Sequence, residues 1–171
     1  DLLVDDDLTV TDDVAIGGDL SVTGGVAVTG DYSSATSGTS NLRLGVNAGN
    51  SIVSGGNYNV VLGDEAGTAI TTGDNNVAVG YSAGAAITTG NRNTLIGNAA
   101  GDALTVGIQN VAIGREALGA DTEGSNTVAI GNGTLRAQNF TSATDTYNTA
   151  VGDQAGTAIT TGIKNTIIGG L

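Results

Sequence analysis

The sequence predicts an all-β chain organised as a β-solenoid, and three observations lead there. Short apolar strands recur with two internal periods, glycine stands at one fixed place in the longer period, and the apolar residues are mainly small or β-branched. Of 171 residues 29 are Gly, while Pro, Cys, Met, Trp and His are absent and the aromatics are four Tyr and one Phe. Side chains of this kind fill a narrow interior between pleated strands. Repeated units that cannot each close a core bury their apolar faces by stacking on their neighbours.

The shorter period comes first. Residues 2–31 divide into five hexapeptides, LLVDDD, LTVTDD, VAIGGD, LSVTGG and VAVTGD, with apolar residues at positions one and three and Asp or Gly at positions five and six. An apolar pair two residues apart faces one side of a short strand, and Asp and Gly accept the conformations of a corner. This predicts a β-prism shaft over 1–31. Residues 32–40, YSSATSGTS, show no period and read as a joint.

The longer period occupies 41–171 and reads as a β-roll. Its seventeen-residue units include NVVLGDEAGTAITTGDN (59–75), NVAVGYSAGAAITTGNR (76–92) and NTLIGNAAGDALTVGIQ (93–109), with one extra residue in the copy at 41–58 and four in the copy at 127–147. The fifth position is Gly in all eight copies: 45, 63, 80, 97, 114, 131, 152 and 169. Apolar second and fourth positions, such as Val60 and Leu62, predict one strand ending at that Gly. A second short strand is expected around Ala69–Thr72, Ala86–Thr89 and Ala158–Thr161. Frequent Gly and β-branched residues oppose a helix of useful length.

A lone coil of seventeen residues is lean. It buries about five apolar side chains, worth roughly 1.5–3 kcal/mol for each large one and less for Ala, against on the order of 1.5 kcal/mol per residue for ordering the chain. Association of identical solenoids along a shared seam adds burial over the whole length. The alanines at position three (Ala78, Ala112, Ala129, Ala150) and position eight (Ala66, Ala83, Ala100, Ala117, Ala155) are the residues expected on that seam. A trimeric fibre is the predicted assembly.

The units NTAVGDQAG (148–156), NVAVGYSAG (76–84) and NVAIGREAL (110–118) resemble head repeats of YadA-like trimeric autotransporter adhesins, and also repeats of phage and marine-virus tail fibres that end in a self-cleaving intramolecular chaperone. The hexapeptides around LTVTDDVAIGGDLSVTGG are similar to shaft segments of such fibres. The resemblance covers roughly 8–31 and 41–171 and implies a homotrimeric solenoid fibre. The coil is longer than is usual in the adhesin heads, and neither a coiled-coil stalk nor a membrane anchor is visible. The chain opens at Asp1 without Met and stops at Leu171 part-way through a repeat, as a cut from a longer polypeptide would.

Chemistry has little to work with. There is no His or Cys to serve as base or nucleophile, and Lys164 is the sole lysine. Asp64 and Glu65 occupy a turn position that becomes Tyr81/Ser82 and Asn98/Ala99 in other copies, so they read as a solvated turn. Hexapeptide acyltransferases use a His that is missing here. No catalytic residue, metal site or cofactor is assigned, and the chain is expected not to be an enzyme. The Asp corners of the shaft (Asp5–Asp7, Asp12, Asp13, Asp19, Asp31) match no calcium-loop spacing.

Three columns remain. Asn59, Asn76, Asn93, Asn110, Asn148 and Asn165 stand at the strand entrance and read as a stacked amide ladder or turn cap. Thr71/Thr72, Thr88/Thr89, Thr105, Thr122 and Thr160/Thr161 form a Thr column broken at Val106 and Glu123; an intact array of this kind suits ice or sugar binding. The insertion within 132–147, NGTLRAQNFTSATDTY, is expected to emerge as a loop on one side. It carries the receptor-contact candidates Arg136, Phe140 and Tyr147. Asn132-Gly133-Thr134 and Asn139-Phe140-Thr141 are formal glycosylation sequons.

The net charge of -12, with only five basic residues, excludes a nucleic-acid backbone as partner. Eight Asp and no base lie within 1–31. No apolar run is long enough to span a membrane. The expected role is a structural, receptor-reaching segment of an extracellular virion tail fibre, with itself and a host-surface glycan or protein as partners. The alternatives are a bacterial cell-surface adhesin head binding host matrix or carbohydrate, and an ice-binding solenoid.

Overall fold

The structure is a computed structural model that describes residues 37–170 and, apart from these, Thr23. The chain divides into two units, Asp1–Asp31 and Tyr32–Leu171. The prism expected over 1–31 lies, Thr23 aside, outside the described residues.

Among the described residues ten short strands follow in order: β1 (Leu42–Leu44), β2 (Val60–Leu62), β3 (Val77–Val79), β4 (Thr94–Ile96), β5 (Val111–Ile113), β6 (Gly124–Ser125), β7 (Val128–Ile130), β8 (Thr144–Asp145), β9 (Thr149–Val151) and β10 (Thr166–Ile168). Eight of them form one parallel sheet in the order β1-β2-β3-β4-β5-β7-β9-β10, and β6 pairs with β8 in a second, two-stranded sheet. The register steps by one repeat, Val60 against Val77 and Val77 against Thr94. The result is an all-β solenoid of roughly seven turns, with no helix among the described residues.

Backbone conformation explains the glycine at position five. Gly63 has φ +124°, and a Cβ there would lie 2.8 Å from the carbonyl carbon and oxygen of Gly80 in the next coil. Glycine therefore stacks on glycine at every step of the described solenoid, from Gly45 on Gly63 to Gly152 on Gly169. Left-handed residues follow at position seven, as Glu65 and Ser82, and at position seventeen, as Asn75, Arg92 and Gln109. At position seventeen the N–H turns back to the preceding coil, Arg92 N to Asp74 O at 3.0 Å and Gln109 N to Asn91 O at 3.0 Å. That bond stabilises a conformation otherwise unfavourable for a side chain with a Cβ.

The second strand expected at Ala69–Thr72 and its equivalents is not formed; the segment is a turn and bend. Two donors, Thr71 N and Gly73 N, converge on the single carbonyl of Thr88, at 3.0 and 3.3 Å. The same happens at Thr105 O, which accepts from Thr88 N and Gly90 N. A ladder needs alternating donors and acceptors along both partners, and the seventeen-residue coil closes too tightly here to supply them.

The core corrects the expected seam. In β2 to β9 of the main sheet only the middle strand residue is fully buried: Val61, Ala78, Leu95, Ala112, Ala129 and Ala150 are each 0% exposed. They meet the position-eight column, Ala66, Ala83, Ala100 and Ala117, and a third column that includes Ile70, Ile87 and Leu104. The alanines lie inside their own coil because so few residues enclose little volume. Positions two and four, read above only as the strand signature, face outward.

Bonding of the closing-turn kind is also present just before Asn41. Ser40 is left-handed at φ 56°, Tyr58 N bonds Thr39 O at 2.9 Å, and Thr39 N bonds Asn57 Oδ1 at 2.9 Å. Thr39, within the expected 32–40 joint, thus bonds to Asn57 and Tyr58 as Asn57 bonds to Asp74 and Asn75.

Candidate functional site

The Asn column forms a buried amide ladder. Asn76 donates its side-chain amide to Asn59 Oδ1 at 3.1 Å and to Gly90 O at 2.9 Å, while its backbone N–H reaches the same Asn59 oxygen at 2.9 Å. The pattern repeats between Asn41 and Asn59, Asn76 and Asn93, Asn93 and Asn110, and Asn148 and Asn165. From Asn59 to Asn110 each amide closes its own coil and ties it to the preceding one, and no buried side-chain polar atom among the described residues lacks a partner. The ladder is structural.

Two consecutive coils depart from this pattern, and the departures are coordinated. Thr127 stands where Asn is expected, and the missing amide comes from Gln138, which is 0% exposed. Gln138 Nε2 donates to Asp121 Oδ2 at 2.6 Å and Thr127 Oγ1 at 3.1 Å, and its Oε1 accepts from Asn148 Nδ2 at 2.7 Å. Asp121, also fully buried, accepts from Gly124 N and Phe140 N at 3.0 Å each. Asp121 and Gln138 occupy the place filled by Ile70, Ile87 and Leu104 in preceding coils. Their apolar volume is supplied instead by Leu118 and Leu135, left-handed at φ 56° and 49°, where those coils have Gly67, Gly84 and Gly101.

The insertion is held to the solenoid for most of its length. Phe140, a receptor-contact candidate on sequence, is 8% exposed, so its ring is packed inside. Its carbonyl accepts from Glu123 N and Thr122 Oγ1, both at 2.8 Å. β8 then pairs with β6, leaving Thr141, Ser142 and Ala143 as the exposed crest. Tyr147 is 55% exposed on the position-seventeen column, beside Asp145. It is separated from Arg136 in the coil, so the three sequence candidates do not converge on one site.

Arg136 is the candidate that borders a cleft. The cleft encloses about 340 Å³ and is lined by Ala99, Asp102, Glu116, Gly119, Ala120 and Arg136. Arg136 Nε pairs with Glu116 Oε2 at 2.9 Å, and the other Glu116 oxygen pairs with Arg115. Burial raises the Asp102 carboxyl above its usual range; bonds from its own and Ala103 backbone N–H pull it down, and the charge of Glu116 pushes it up. Sequence reasoning missed Asp102, Glu116 and Gly119, because only the stacking of three coils makes residues seventeen apart neighbours.

The Thr column is not a free hydroxyl array. Thr71, Thr88 and Thr105 donate Oγ1 to the backbone carbonyl of the next coil at 3.1, 3.3 and 2.9 Å. The exposed column beside it reads Thr72, Thr89, Val106, with the partly covered Glu123 next. No group of His, Cys, Asp and Glu suited to a metal is present among the described residues. No helix of the described residues is long and apolar enough to cross a membrane. Comparison with protein-family models, with curated proteins and with solved structures gives no match.

Proposed function

We propose that this chain is a structural fibre segment for attachment, assembled as a homotrimer at the surface of a virion. The observation that carries this reading is the outward face of the main sheet. Its third strand residue is Leu, Ile or Val in all eight strands, from Leu44 to Ile168, and its first is Leu, Val or Thr. No charged residue stands at either position, in a chain of net charge -12.

Eight strands at about 4.8 Å spacing make an unbroken stripe roughly 34 Å long. Contiguous apolar patches of this extent mark interaction surfaces rather than ordinary solvent-facing surface. A cyclic assembly buries each stripe against its neighbours and leaves only the solenoid ends open. The count of three comes from the resemblance of NVAVGYSAG and its sister units to trimeric fibre and adhesin repeats, and the hexapeptides of 1–31 serve as shaft. A cell-surface adhesin head shares this architecture and differs in its carrier.

Sedimentation of the full chain tests the reading. The expected species is a trimer, and Val79→Lys with Ile113→Lys, both outward, should yield monomers that keep a β-rich spectrum. A monomeric parent chain ends the proposal.

A further inference from the structure

The cleft beside Arg136 has a simple origin in the repeat. The tenth position of successive coils reads Asn50, Thr68, Ala85, Asp102, Gly119, Arg136 and Thr157. Gly119 alone lacks a side chain, so the column is interrupted between a carboxylate and a guanidinium two coil steps apart, about 9.6 Å along the stack. A Cβ added at Gly119 would lie 3.6 Å from Asp102 Oδ1, which places the carboxylate at the rim of the gap. The floor is the small surface of Gly119, Ala120 and Ala99.

The polar groups around the gap are held in place. Glu116 braces Arg136 at 2.9 Å and is braced in turn by Arg115, while backbone N–H groups of Asp102 and Ala103 hold the Asp102 carboxylate. Arg115 lies outside the lining but pairs with Glu116, and with it the charges of Asp102, Glu116 and Arg136 balance, so the ion-paired cluster has no excess charge to select an anion or a cation. It offers acceptors on one wall and donors on the other, across a floor that admits a close flat approach. Adjacent hydroxyls on a neutral ring satisfy both walls: they donate to the carboxylate and accept from the guanidinium. The cleft volume lies at the small end of ligand sites.

We propose that the Gly119 gap is a binding site for one neutral pyranose unit, its vicinal hydroxyls bridging Asp102 and Arg136. The assignment deepens the attachment reading and rests on it for biological purpose, since it names the class of surface molecule the fibre would hold.

The test is a titration of the full chain, labelled at alanine methyls, with methyl mannoside, methyl galactoside and methyl glucoside. The Ala99 and Ala120 signals should shift and saturate for at least one sugar with a Kd of about 1 mM, while Ala66 and Ala83 stay fixed. Gly119→Gln fills the gap from a half-buried position with ordinary φ, its Cβ 3.2 Å from Glu116 O, and should weaken binding by about tenfold or more while the unfolding transition stays cooperative. Arg136→Gln should act likewise.

Absence of shifts with all three sugars overturns the site, as do shifts that survive Gly119→Gln. Shifts produced by methylammonium chloride or sodium acetate in place of the sugars overturn it in favour of an ion. Sedimentation of the same samples separates the two readings. A trimer without sugar shifts removes only the site, and sugar shifts on a monomer remove only the assembly.

Discussion

Leu118 and Asp121 exchange the volumes that glycine and isoleucine hold elsewhere in the solenoid. Both are fully buried, Leu118 in a left-handed conformation. In five other coils the pair is Gly with Ile or Leu: 49/52, 67/70, 84/87, 101/104 and 156/159. The reason is steric, since a Cβ on Gly67 would lie 2.7 Å from Ile70 Cδ1 and one on Gly84 would lie 2.9 Å from Ile87 Cδ1. A leucine at the first place thus requires a shorter or polar partner at the second. Leu118→Gly alone opens a void and should cost about 3 kcal/mol. Asp121→Ile alone overpacks the site and strips Gly124 N and Phe140 N of their acceptor, costing about 3 kcal/mol. The double variant should recover at least about 1 kcal/mol of the summed loss in urea unfolding, and strict additivity would contradict the exchange.

The amide ladder makes a graded prediction. Asn93→Asp replaces a donor facing Asn76 Oδ1 and Gly107 O by a buried carboxylate oxygen, and should cost about 3 kcal/mol. Asn165→Asp, where the amide is only partly buried and donates to Asn148, should cost about 1 kcal/mol. Urea midpoints of the two variants at neutral pH rank them, and equal losses would refute a ladder whose strength follows burial.

The Asp102 carboxyl sets a pH dependence of definite sign. Burial, the main cause, raises its pKa in the folded chain above the ordinary aspartate value of 3.8. The folded chain therefore holds the proton to higher pH than the unfolded one, and stability falls as pH rises from 3.8 through the raised value. Asp102→Asn should flatten this part of the profile, with the two proteins diverging progressively across that window and by a constant amount above it. Melting temperatures across the acidic range read the difference, and parallel profiles would contradict it.

Proteolysis should begin at the crest of the insertion. Thr141, Ser142 and Ala143 are exposed, whereas Gln138 and Phe140 are buried before them and β8 is paired after them. Brief digestion with a nonspecific protease should cut at 141–143, with fragments identified by mass, and Phe140→Ala should accelerate that cut. First cleavage within 133–138 would show that the insertion is less firmly attached than its hydrogen bonds require.

The period, the strand sites and the obligatory glycines were legible because each coil meets a copy of itself, so a local requirement recurs every seventeen residues. The direction of the strand residues was not. Val60-Val61-Leu62 carries apolar side chains on both faces, and alternation cannot tell inside from outside when neither face is polar. The alanines of position three suggested a surface made for close approach, yet they are small because the coil encloses little space. The Asn ladder was readable as a column. The role of Gln138 was not, since it replaces an amide that belongs eleven residues earlier, at Thr127. Among the site residues only Arg136 drew notice, as part of an inserted stretch. Asp102 and Gly119 looked like ordinary turn residues until stacking made them neighbours.

Because Asn76 donates to Asn59 on one side and accepts from Asn93 on the other in the same pattern, one whole unit can be removed without leaving a loose end. Excision of 76–92 would let Asn93 meet Asn59 directly and shorten the solenoid by about 4.8 Å. Extra residues are taken up within a coil, as in 41–58 and 127–147, whose strands stay in register with Val60 and Thr149; a coil cut below seventeen residues has no counterpart among the described ones. Gene duplication and deletion would therefore adjust the length of this solenoid in whole rungs, as a ruler divided at a fixed interval.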